Sequence, residues 1–219
     1  VAAACRDRNL RTVAVTAGYV NPKPRAELFS FIDAANVDLN AFDESFYRRI
    51  AGGHLEPVLD TRRYLRHEPD VWFEITNLVV PNHNDSDDVI REMCDWLVRE
   101  LGPDVPLHFS AFHPSYRMRD VPPTSRATLR QARDIAKSAG LHHVYLGNVH
   151  DRDGDTTFCA SCGKKLIERN WYELTGWHLY GGACPDCDTP CPGVFESQPG
   201  SWGARRLAVK LGQDSISLS

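Results

Sequence analysis

From residue 1 to about residue 150, short β-branched runs alternate with amphipathic stretches of helical length, and this alternation constrains the chain more than any other feature. Strands separated by helical stretches pair in parallel through crossovers, so the pattern predicts βα units on a parallel sheet. Strands are expected at Arg11–Thr16 and in "ANVDL", "VWFEITNLVV", "LHFSAF" and "HHVYLGN". Between them the sequence predicts helices over Arg25–Ala34 (after a breaker at Pro22 and Pro24), Glu44–Ile50 and Leu55–His67. A further helix, Asp87–Leu101, is capped by Ser86 and carries acidic residues in its first turn, where the helix dipole favours them. Thr124 or Ser125 caps another, in which Leu129, Ala132, Ile135 and Ala136 form an apolar stripe and which Gly140 stops. The opening "VAAACRDRNLRTVAV" reads as the end of a helix leading into a strand, as if the chain begins within a fold.

Beyond Asp151 the composition changes to Cys, Gly, Pro and aromatic residues. Five of the seven cysteines lie between residues 159 and 191, and their CxxC clustering in a chain with no export signal favours metal over disulfides. Cys159 and Cys162 form one pair, Cys184 and Cys187 the other, with 21 residues between them, close to the spacing of a zinc ribbon. Gly163 and Asp188 follow the two pairs, where a turn toward the sulfurs needs a residue tolerant of positive φ. Four thiolates complete a tetrahedron, so Cys191 reads as a small buried residue before Pro192 and Gly193. Iron in place of zinc is the alternative. The expected organisation is a barrel-like unit over 1–154, a four-cysteine module over 155–196 and a tail over 197–219, with an apolar patch "RRLAVKL" and a polar, disordered end.

Charge excludes little but orders the choices. Lys and Arg number 25 against 29 Asp and Glu, a net charge of -4, so no global positive field draws nucleic acid or an anionic membrane. A small patch of Lys164, Lys165 and Arg169 is the one local exception. The apolar stretch from Ile75 to Pro81 is far short of the roughly 20 residues that span a bilayer, and a cytoplasmic protein is expected.

In parallel α/β folds function collects at the carboxyl ends of the strands. Here those ends are polar: "TAG" (Thr16 to Gly18), "DLN" (Asp38 to Asn40), "VVPNHND", "FHP" (Phe112 to Pro114) and "GNVHD". Together with "DAANVDLNAFDESFYR", "PVLDTRRYL", "VWFEITNLVVPNHND", "PLHFSAFHP" and "YLGNVHD", this order of tips resembles the radical S-adenosylmethionine (SAM) superfamily. The likeness is to the branch of glycyl-radical-activating enzymes, and most closely to the radical SAM member of the AmmeMemoRadiSam system. It implies an incomplete parallel (β/α) barrel with a zinc-ribbon-like module behind it, SAM across the strand tips and a [4Fe–4S] cluster on a CxxxCxxC motif. That motif and the Gly-Gly-Glu strand that follows it are not in this sequence.

Carried over by position, Thr16 and Gly18 lie beside the methionine moiety of SAM, Asp38 and Asn40 near the ribose and carboxylate, the backbone of Val80 near adenine, and His113 near the ribose. The family usually has Lys where Asn40 stands, so a charge-assisted contact becomes a neutral hydrogen bond roughly half as strong. The resemblance therefore implies the C-terminal part of a radical SAM enzyme of unknown substrate, inactive in SAM cleavage on its own. It also implies an exposed strand edge at Arg11–Thr16, open to pairing with another chain. The alternative is a non-catalytic module docking a protein or nucleic acid through its ribbon.

Overall fold

The computed structural model describes residues 1–200. The "RRLAVKL" patch and the polar end of the expected tail lie outside the described residues. Five parallel strands form one sheet in chain order: β1 (Val13–Thr16), β2 (Ala34–Asp38), β3 (Trp72–Val79), β4 (Leu107–Ala111) and β5 (Val144–Gly147). The incomplete parallel (β/α) arrangement expected from the sequence is the one found.

The helices are α1 (Ala2–Arg6), α2 (Pro22–Phe29), α3 (Glu44–Phe46), α4 (Leu55–His67), α5 (Asp87–Leu101), α6 (Arg126–Ser138) and α7 (Arg152–Asp155). α4 and α5 have the bounds the sequence predicts. Ser86 and Ser125 accept from the backbone N–H groups of Val89 and Thr128, so each starts its helix as an N-cap. The region of α2 differs. Pro22 and Pro24 begin this helix instead of breaking the chain before it, because N–H groups in a first turn have no intrahelical acceptor and proline loses nothing there. The helix ends at Phe29, and Ala34, expected within it, is the first residue of β2. The helix expected over Glu44–Ile50 is the short α3 followed by a π-helical turn, Tyr47–Ala51, closed by Gly52 at φ 71°.

Alternation along the strands sorts the residues between two faces. Ala35, Val37, Phe73, Ile75, Val79, Leu107, Phe109, Val144 and Leu146 are buried in one apolar cluster that includes Ile90, Met93 and Leu97 of α5 and Leu129, Ala132 and Ile135 of α6. The other, inner face is polar. On it Thr76 donates to Asn36 at 2.9 Å and His108 lies 2.6 Å from a Glu74 carboxylate oxygen. Among the described residues β1 pairs with β2 alone and forms one edge of the sheet, where Val13 and Val15 are 63% and 78% exposed.

Residues 157–177 form an antiparallel sheet of β6 (Thr157–Phe158), β7 (Lys165–Asn170) and β8 (Glu173–Trp177). It packs on the inner face at β5, where the Tyr145 hydroxyl meets Thr157 Oγ1 at 2.9 Å and Arg169 lies over the Tyr145 ring.

Candidate functional site

Two places gather chemistry. The first is a cavity of about 430 Å³ at the carboxyl ends of β1 to β4. Asp38 and Asn40 from the tip of β2, Leu78 and Val80 from β3 and Phe112 from β4 line it, with Tyr47 of the π-helical turn and Met118 of the following loop. Apolar walls with a few polar groups are the usual composition of a small-molecule site.

Of the residues expected at this site, Asp38, Asn40 and Val80 line the cavity. Burial raises the Asp38 carboxyl above its ordinary range and Arg62 offsets part of the rise. Among the described residues no side chain donates to that carboxylate. Asn40 uses Oδ1 to accept the Leu78 N–H at 3.0 Å, which ties the tips of β2 and β3 together. The N–H of Val80 is already taken, donating to Asn84 Oδ1 at 2.6 Å. Val80 therefore offers a ligand its side chain.

Thr16 and Gly18 sit behind the cavity. Thr16 Oγ1 accepts the Gly18 N–H at 3.1 Å, and Gly18 holds φ at 70° with space for no side chain: a Cβ there would stand 2.8 Å from Val37 Cγ1. Their neighbour Ala17 is the residue of this turn that faces the cavity. His113 is exposed and lines no part of it.

Sequence reasoning missed three contributors. Arg62 is wholly buried under the tips, with Nη1 donating to the Val58 carbonyl and Nη2 to that of Asp38; burial pushes its guanidinium down to about 10. Its place on the apolar side of α4, between Val58 and Leu65, was the available signal. Tyr47 comes from the π-helical turn, which has no sequence signature. Asn84 bridges strands: it accepts from Val80 and donates to the carbonyls of Asn40 and Leu78.

The second place is the thiol cluster. Cys159, Cys162, Cys184 and Cys187 converge so that their four sulfurs lie within 4.8 Å of one another. The two halves repeat one design. Gly163 N–H donates to the Cys159 carbonyl at 3.0 Å and Asp188 N–H to that of Cys184 at 2.9 Å, with positive φ at both Gly163 and Asp188. A tetrahedron of Zn–S bonds near 2.3 Å has edges of about 3.8 Å, and the Cys159–Cys187 and Cys162–Cys184 pairs stand at 3.5 and 3.6 Å. The donor set fits one metal ion. Cys191 is buried beside this group without joining it, and burial pushes its thiol up to about 11. Around the module, Lys164 pairs with Asp186 at 2.6 Å and Lys165 with Glu168 at 2.8 Å, while Arg169 turns inward to Thr157.

No family model matches the chain. It is 42% identical over 164 residues to an uncharacterized protein of Methanocaldococcus jannaschii, a match that covers 75% of this chain and 48% of that protein, so the chain spans about half its relative's length. Among solved structures, a domain of a pyruvate-formate lyase-activating enzyme from Bacteroides vulgatus superposes with a TM-score of 0.58 at 15% identity, covering 67% of this chain and 87% of that one. A radical SAM methyltransferase from Sphaerobacter thermophilus superposes with a TM-score of 0.51 at 16% identity, covering 72% of this chain and 46% of that one. No helix among the described residues is long and apolar enough to cross a membrane. The parallel sheet and its helices thus have the fold of a domain of a pyruvate-formate lyase-activating enzyme and of a radical SAM methyltransferase.

Proposed function

We propose that this chain is the SAM-binding part of a radical SAM protein, related to the AmmeMemoRadiSam member, and that the cysteines of the [4Fe–4S] cluster lie outside these 219 residues. The cavity at the tips of a parallel sheet, with Asp38 and Asn40 on its rim, carries this reading. The shared fold supports it. SAM fits the residues present: the Asp38 carboxylate is free to accept from ribose hydroxyls or the amino group, and Leu78, Val80 and Phe112 offer an apolar wall to a ring. A cluster does not fit them. No CxxxCxxC occurs in the sequence, and the cysteine nearest the start, Cys5, stands alone on α1.

Cluster and SAM supply the radical chemistry in such proteins; the role left to these residues is to bind and orient SAM. Equilibrium dialysis of the chain against labelled SAM tests this, with saturable binding expected and Asp38→Ala weakening it about tenfold, the size of one lost charge-assisted hydrogen bond. Absence of binding to the folded chain would overturn the reading. Incubation with iron, sulfide, reductant and SAM is expected to yield no 5′-deoxyadenosine.

We further propose that the four-cysteine site holds zinc and stabilises the module. A second reading, docking of another chain's strand on β1, rests on the exposure of Val13 and Val15 at the sheet edge.

A further inference from the structure

A second cavity, also of about 430 Å³, opens at the amino ends of the five strands, between the sheet and the four-cysteine module. Its module wall is one unbroken run of chain, Cys191 to Glu196, and the described residues end four positions further on, at Gly200. Val13 at the start of β1 and Val194 on that run both line the cavity, yet they are 63% and 82% exposed; Trp72 at the start of β3 adds an indole. Apolar side chains gathered this openly around one hollow make a surface that gains by being covered.

The charges of the lining indicate what kind of chain covers it. Three carboxylates, Asp33, Glu74 and Glu196, stand against two guanidinium groups, Arg11 and Arg169, and burial favours the neutral form of His143. Glu74 and Asp33 are engaged, with His108 at 2.6 Å and with the Thr12 N–H at 2.7 Å. Glu196 is exposed and, among the described residues, has no ion-pair partner. A larger cavity of about 760 Å³ shares Arg11, Asp33, Trp72 and Val194 with the first; its further charges, Asp70 and Asp104 against Arg6 and Arg66, leave the acidic excess unchanged. Acid in excess beside exposed apolar groups suits a segment that is both basic and apolar.

Residues 202–211, "WGARRLAVKL", have that composition: Arg205, Arg206 and Lys210 with no acid before Asp214. Leu207, Val209 and Leu211 alternate with Arg206, Ala208 and Lys210, so an extended chain here carries its apolar residues on one side. Reach is ample. The nine residues from Glu196 to Arg205 extend to about 30 Å, whereas five strands set side by side are about 19 Å across.

We propose that residues 202–211 cover the amino ends of the sheet, with Leu207, Val209 and Leu211 against Val13, Trp72 and Val194 and the basic side chains toward the acidic lining. The chain then closes this end of its own sheet. Trp72 and Leu78 are six residues apart on β3, about 20 Å at the strand rise, so the proposal stands or falls independently of SAM binding.

The test is photo-crosslinking in the metal-loaded 219-residue chain, with p-benzoylphenylalanine in place of Ala208 and adducts mapped by mass spectrometry. Intramolecular adducts are expected on peptides that contain Val13 or Trp72. Replacing Arg205, Arg206 and Lys210 together by Glu is expected to lower their yield about fivefold, the size of a few surface ion pairs. Adducts between two copies, adducts on the strand-tip cavity, no adducts, or a yield indifferent to the charge reversal would overturn the proposal. Hydrogen exchange on the unmodified chain tests it without any substitution: amides of residues 205–211 are expected to exchange at least about tenfold more slowly than those of a free peptide of the same sequence, and equal rates would overturn it as well.

Discussion

Arg62, wholly buried on α4, donates through Nη2 to the main-chain carbonyl of Asp38, so the tip of β2 is held from beneath by a cation. Two effects oppose each other when it is replaced. Arg62→Met orphans the Asp38 carbonyl, a cost of about 1–3 kcal/mol, and relieves a desolvated guanidinium, which often leaves such replacements near neutral. Stability in urea is therefore expected to change by less than about 1 kcal/mol, while SAM affinity falls by about fivefold or more as the rim residue Asp38 loses its anchor. A loss above about 3 kcal/mol would show that the arginine is a net stabiliser.

Gly18 faces two obstacles to substitution, its positive φ and the 2.8 Å approach of Val37 to any Cβ. Gly18→Ala is expected to cost about 1–3 kcal/mol, read as a lowered thermal midpoint by circular dichroism. An unchanged midpoint would mean that the β1 turn relaxes freely.

Glu44 accepts from Leu55 N–H at 2.9 Å and Arg48 Nε at 2.9 Å and lies 2.7 Å from His54 Nδ1, and these contacts, the Leu55 amide foremost, lower its carboxyl to about 2. A depressed folded-state value means that the contribution is complete above pH 4.5, the ordinary value, and is lost as pH falls through about 2. Glu44→Gln is expected to flatten the stability profile between those limits and leave it unchanged in slope above them. Urea midpoints measured across that range check it.

Chelation should separate the two units of the chain. Removal of the metal is expected to collapse the β6 to β8 sheet and leave the five-stranded sheet's secondary structure largely in place, since metal binding and folding are one event in such modules. Cys184→Ser should do the same and reduce bound metal, measured by mass spectrometry, well below one ion per chain. A colourless protein with zinc sustains the zinc assignment, and a coloured one with iron and labile sulfide removes it.

Val13 and Val15 present an apolar, unpaired edge. Val15→Lys is expected to reduce self-association in sedimentation experiments, as charge on an edge strand blocks pairing. Identical sedimentation of both proteins would argue that β1 is not sticky.

Legibility followed the range of the forces involved. α5 and α6 could be read because their caps and apolar stripes are local, with Ser86 and Ser125 each within four residues of the groups they satisfy. Gly163 and Asp188 were legible for the same reason. α2 was misplaced because prolines have opposite meanings inside a helix and in its first turn, and Pro22 and Pro24 stand in the first turn here. At the site, Asp38, Asn40 and Val80, expected near SAM, line the strand-tip cavity, since tip position follows from strand position. Thr16, Gly18 and His113 fall beside or away from the cavity because a one-residue difference at a turn decides which way a side chain faces. Arg62 and Asn84 act across 24 and 44 residues of sequence: the apolar side of α4 marks Arg62 for burial, but no local signal gives the distant carbonyl that either one meets.

The two-residue period of β3 sets a limit on how this chain can vary in length. Trp72, Glu74, Thr76 and Leu78 occupy the inner face only because Phe73, Ile75, Asn77 and Val79 take the other. One residue inserted after Phe73 would exchange the two sets beyond it, placing Ile75 and Val79 on the inner face and Glu74 against α5 and α6. Insertions and deletions are therefore confined to the connections between strands and helices, and even there the stretch 112–125 is constrained, because Phe112 and Met118 line the strand-tip cavity and Thr124 ties Phe112 to Val79.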